Sequence, residues 1–106
     1  MSGHTHQLVI QFPEVAFPEF DALVRFEDAL CKALSARHEV DGHDIGSGEV
    51  NFFVLTDDPG LAFSEVRKAM GESPVHPDVR AAARPIDGED YEPVWPIGDT
   101  RTFTVR

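Results

Sequence analysis

The residues best suited to chemistry lie between positions 41 and 51: Asp41-Gly42-His43-Asp44, then Glu49 and Asn51 across a glycine-rich turn. Histidine titrates nearer neutrality than any other side chain, so His43 is the natural proton carrier, with Asp41 two residues away to orient it. Alternate residues of a strand share a face, which allows that pairing. A three-residue turn over Gly46-Ser47-Gly48 would pair Ile45 with Glu49 and set His43 opposite Asn51. Asp41, His43, Glu49 and Asn51 would then share one face, whereas a two-residue turn would shift the register and break the set. A metal site from His38, Asp41, His43 and Asp44 competes, but it needs a bulge, because His38 and Asp44 otherwise face away from the other two. The plainest reading is a polar edge strand kept soluble by charge.

A second cluster follows at Asp87, Glu89, Asp90 and Glu92, beside Tyr91 and Trp95. Carboxylates around aromatic anchors are the anatomy of a protein contact. His4 and His6 form a His-x-His pair, but two ligands on a tail make a weak metal site. His76, between Pro74 and Pro77, reads as an exposed loop residue. The chain has no Gly-rich phosphate loop, nucleophile elbow, paired-cysteine motif or calcium loop, so neither a cofactor nor a metal is expected.

The elements that must position these groups follow from periodicity. Gln7–Phe12 alternates as a strand, with Leu8, Ile10 and Phe12 on one face. Phe20–Ala36 reads as a helix with Phe20, Leu23, Val24, Leu30, Cys31 and Leu34 on its apolar arc, and Pro18 sits where the first turn would begin. Glu27 falls in the middle of that arc. It either snorkels to solvent or is buried and needs a partner. Cys31 reads as a small core residue. Residues 38–56 form a hairpin whose second strand, EVNFFVLT, is apolar on both faces and hence central. Asp58 caps a second helix, with Pro59 at its first position and a buried face of Ala62, Phe63, Val66, Ala69 and Met70. Gly71 stops it, and 72–78 is a loop. Val79–Ile86 reads as a fourth strand, and Thr100–Val105 as a candidate extra one.

The order strand, helix, strand, strand, helix, strand is the split βαβ pattern. The fold expected is therefore α+β: a two-layer βαββαβ sandwich, ferredoxin-like, with a four-stranded antiparallel sheet and two helices on one face. It occupies residues 1–106 as a single domain, with a loose tail over 1–6 and an extension over 87–106. Val9, Phe53 and Leu55 would face away from the helices and need cover, from Tyr91, Trp95 and Phe103 or from a second copy.

Bulk properties narrow the function. The chain of 106 residues carries a formal net charge of −10 and one cysteine. A disulfide scaffold is excluded, no apolar run is long enough to span a membrane, and no secretory signal is visible, so the cytoplasm is the expected compartment. The negative field disfavours nucleic acid and favours a basic partner. The leading expectation is a non-enzymatic protein-binding module, similar in bulk to small inhibitor or immunity proteins that neutralise a basic target. Its contacts would come from Glu49, Asn51, Asp87, Glu89, Asp90, Tyr91, Glu92 and Trp95. The alternative is a small dimeric enzyme or ligand sensor with a pocket on the helix-free face, beside Asp41 and His43 and lined by Phe53 and Trp95. A third possibility is a structural subunit that is inactive alone.

Overall fold

Alternation along β1, His6–Pro13, buries Leu8, Ile10 and Phe12 on one face and Val9 and Gln11 on the other. The computed structural model describes residues 4–34, 36–70, 78–96, 98 and 102–105. Met1–Gly3, Gly71, the loop to Pro77 with His76, and positions 100 and 101 lie outside them. Residues 4–6 are not the loose tail expected. The Thr5 amide donates to Asp57 Oδ1 at 3.0 Å, its carbonyl accepts from the Ile86 amide at 2.9 Å, and His6 already belongs to β1.

The first helix, α1, runs from Phe20 to Ala33, after a short 3-10 turn at Glu14–Ala16. Its buried arc centres on Leu23 and Leu30, and Ala22 and Phe26 pack against the core. At about 100° per residue, the arc therefore extends toward Phe26 and away from Cys31. Cys31 is exposed, not a core residue. Phe20 is 60% exposed, again contrary to its place in the expected arc.

Strands β2, His38–Gly46, and β3, Glu49–Thr56, form the expected hairpin. The second helix, α2, spans Pro59–Met70 and buries Ala62, Phe63 and Val66. Asp58 Oδ1 accepts from the Leu61 amide at 3.1 Å, a side-chain cap on one of the helix's otherwise unpaired donors. Ala69 is exposed, unlike the rest of the face proposed for it.

The domain is α+β, with one antiparallel sheet in the order β2-β3-β1-β4-β5, where β4 is Arg80–Pro85 and β5 is Glu92–Trp95. Among the described residues the sheet has five strands where four were expected. The added strand is Glu92–Trp95, and the tail residues 102–105 are not a strand. Arg84 explains how the chain turns back so soon. Its Nη1 donates to the carbonyls of Pro85, Ile86 and Gly88 at 3.0–3.1 Å, pinning the turn before β5. Pro93 is tolerated in β5 because, among the described residues, that strand is an edge.

Both helices lie on one face, closing a core of Leu8, Ile10, Phe12, Val50, Phe52 and Val54 with the helix residues. Phe12 packs edge-on against Phe17, Phe26 and Phe52 at 5.2, 5.3 and 6.0 Å. The other face has a smaller cluster of Val9, Ala82 and Phe103, joined by Phe53, Tyr91 and Val105. The chain's own C-terminal segment is thus its cover. Gln11 Nε2 ties it down, donating to Asn51 Oδ1 at 3.0 Å and to the Thr104 carbonyl at 2.9 Å.

Candidate functional site

Two local features decide where the polar residues of the hairpin point. The turn has two residues, Ser47 and Gly48, both at positive φ (54° and 80°), and pairs Gly46 with Glu49. Two-residue turns of this kind match the right-handed twist of the strands they join. His43 consequently pairs with Phe52 and Asp44 with Asn51, so the one-face set of Asp41, His43, Glu49 and Asn51 does not form. The second feature is a bulge between Val40 and Gly42, with Gly42 at φ 117° and Asp41 as the extra residue. The bulge resets the alternation, so both His38 and His43 face the helices.

Each of these histidines meets a carboxylate. His43 Nδ1 donates to Glu27 Oε2 at 2.9 Å, with both side chains about three-quarters buried. Glu27, set in an apolar arc, thus has its partner, and His43 is oriented by Glu27 rather than by Asp41. The imidazole also lies 6.1 Å from the Phe20 ring and 6.3 Å from that of Phe52.

His38 is buried in a chain of hydrogen bonds. Thr56 Oγ1 accepts from the Asp58 amide at 2.9 Å and lies 2.7 Å from His38 Nδ1, while His38 Nε2 lies 3.3 Å from Glu65 Oε2. The hydroxyl proton therefore goes to Nδ1, and Nε2–H goes to the carboxylate. The hydroxyl, imidazole and carboxylate resemble a nucleophilic relay only on paper. Thr56 is fully buried, so no substrate reaches its oxygen. The chain instead joins β2, β3 and the start of α2. Thr56→Val keeps the shape but orphans His38 Nδ1 and the Asp58 amide, and should cost about 1–3 kcal/mol in a urea titration.

A cleft of about 450 Å³ opens beside His38, lined also by His4, Ala36, Arg37, Asp57, Asp58 and Leu61. His4 stands 3.8 Å from Asp57 and 3.9 Å from Glu39, too far for direct hydrogen bonds. Among the described residues, no three His, Cys, Asp or Glu side chains converge to hold a metal ion. The set His38, Asp41, His43 and Asp44 is split between the sheet faces and the bulge.

The other candidate contacts divide. Asp87, Glu89, Asp90 and Glu92 are exposed around a turn that also leaves Ile86 open. The aromatics beside them are not free anchors. Tyr91 packs on Phe103 at 5.2 Å, and Trp95 lies on the helix side, under the Arg67 guanidinium at 4.1 Å and against Phe63. Asn51 is fully buried and cannot be a surface contact. The pocket expected between Phe53 and Trp95 does not form, because the two rings are on opposite faces and the tail fills the helix-free one.

What sequence reasoning missed is the hairpin end of the sheet. Val15, Phe20 and Ile45 are 76%, 60% and 44% exposed. Their segments converge there: the Glu14 amide donates to the Gly48 carbonyl at 2.8 Å, Pro13 pairs with Glu49, and Phe20 abuts His43. Residues 13–21 and 38–49 carry three and four carboxylates respectively and no Lys or Arg. Three apolar side chains in an acidic surround are thus exposed together, with the His43–Glu27 pair beside them. No family model, curated protein or solved structure matches this chain. The signal available in advance was Val15, whose segment shows no burying period, and the high acidity of both segments.

Proposed function

We propose that this domain is a protein-binding module for a basic partner, and that the hairpin end makes the contact. The supporting observation is the exposure of Val15, Phe20 and Ile45 together within a carboxylate-rich surround. An apolar centre with a polar rim is how protein interfaces are built. We read the βαββ-α-β core, with strand order β2-β3-β1-β4, as ferredoxin-like with one strand added. That fold carries many unrelated functions, so the argument rests on the surface and not on the layout.

A pocket-bearing enzyme or sensor on the helix-free face is disfavoured, since Phe103 and Val105 occupy that face. A homodimer formed through that face loses its motive for the same reason. A reducing, cytoplasmic setting suits the exposed Cys31 thiol. No helix among the described residues is long and apolar enough to cross a membrane.

The test begins with a photo-crosslinking amino acid at position 20 or 45, used to capture the partner in living cells. The captured protein, purified, is then bound to variants. Phe20→Ser with Ile45→Ser should weaken it at least tenfold, mainly through faster dissociation. Charge reversal at Asp87, Glu89, Asp90 and Glu92 should instead slow association, on the order of tenfold, and flatten its salt dependence. Wild-type affinity in the Phe20/Ile45 variant would refute the proposed surface.

A further inference from the structure

Among the described residues, β2 pairs only with β3, so its outer edge has no strand beside it. The register shows which backbone groups that edge presents. Gly46 and Glu49 flank a two-residue turn and form a hydrogen-bonded pair, so Ile45–Val50 and His43–Phe52 are non-hydrogen-bonded pairs. The amides and carbonyls of His43 and Ile45 therefore point outward. Beyond the bulge this edge is regular. On the helix side it shows Ile45, two residues along from His43, whose ring lies 6.1 Å from that of exposed Phe20, and on the other side it shows Asp44, opposite Asn51.

We infer that the outer edge of β2, from His43 to Gly46, takes an extended basic segment of the partner as an added antiparallel or parallel strand. The segment would alternate apolar residues, set against Ile45 and Phe20, with Lys or Arg set against Asp44 and its neighbours. This rests on the basic-partner reading and specifies how that partner binds. Strand addition supplies affinity through the backbone and specificity through alternate side chains. Charge selects the occupant. A second copy of β2 would bring Glu39, Asp41 and Asp44 against like charges, which destabilise directly opposed positions. The acids that blunt this edge against its own kind attract a cationic strand.

The probe is a fluorescein-labelled peptide, acetyl-Lys-Val-Lys-Val-Lys-Val-Lys-amide, titrated against the whole chain by anisotropy. Three controls are a block isomer with its lysines together, an alternately N-methylated version, and a version with glutamate for lysine. The alternating peptide should bind at least tenfold more tightly than each control. It should also slow hydrogen exchange at the His43 and Ile45 amides, and Ile45→Pro should remove its binding. Because proline there can also disturb folding, the N-methylated peptide on the unaltered protein is the deciding comparison. No binding of the alternating peptide, or equal binding of any control, overturns strand addition. Equal binding of the N-methylated and block peptides would leave attraction of a basic partner intact. Loss of that broader reading would show separately, as indifference of the captured protein to changes at Phe20 and Ile45.

Discussion

Phe52→Ala should lower stability by about 3–5 kcal/mol, the range for a buried aromatic cut to a methyl. The ring has no exposure and packs with Phe12 at 6.0 Å, Phe17 at 5.6 Å and Phe26 at 5.1 Å. Aromatic pairs contribute beyond their buried area, and four rings sharing one space cannot close over a gap easily. For a domain of this size the melting temperature should fall by roughly 15–30 °C. Calorimetry on the variant reads it directly. A drop below about 5 °C would mean that the cluster repacks, which close packing of interiors argues against. The loss should reach the hairpin end as well, because Phe52 lies beneath His43 and helps hold it toward Glu27.

The second large effect is expected from a chain ending at residue 101. That truncation removes Phe103 and the Thr104 carbonyl, which accepts from Gln11. It uncovers Val9 and Ala82, now fully buried, and strips Tyr91 of the ring it packs on. Lost burial and the lost Gln11–Thr104 hydrogen bond together should cost about 2–4 kcal/mol. The bare face should also find a substitute, so light scattering should report association in the truncated chain at concentrations where the full chain does not associate. Phe103→Asp should give a milder version of both results. An unchanged urea midpoint and an unchanged mass would show that the tail is not the cover.

Much of the architecture was legible because it depends on period alone. Strict alternation placed β1, the apolar run 50–55 placed β3 inside the sheet rather than at its edge, and Asp58-Pro59 marked the start of α2 to within a residue. The fifth strand was not legible. Its four residues include a proline, and it exists because Arg84 folds the preceding turn back, a tertiary cause that leaves no local pattern. The polar site was misplaced for a similar reason. Register in a hairpin follows the turn length, and Gly46-Ser47-Gly48 accommodates two lengths equally well in composition. Glu27 was conspicuous in the helix, but its partner lies 16 residues away across a bulge that no period reports. Tyr91 and Trp95 looked like anchors by type, and folding spends both of them on the protein's own packing.

The extra residue at Asp41 gives β2 two halves of opposite parity. Toward the turn, odd-numbered side chains look at the helices; toward the strand's beginning, even-numbered ones do. Straightening the bulge with Asp41 retained, as a β-branched residue in place of Gly42 (φ 117°) would favour, would therefore act as a phase error. With the turn held in place, His38 would swing to the outside and Glu39 would be driven in beside Thr56 and Glu65. Lengthening or shortening the chain by one residue is usually tolerated in loops. In β2 a one-residue slip in register would exchange inside for outside over half the strand.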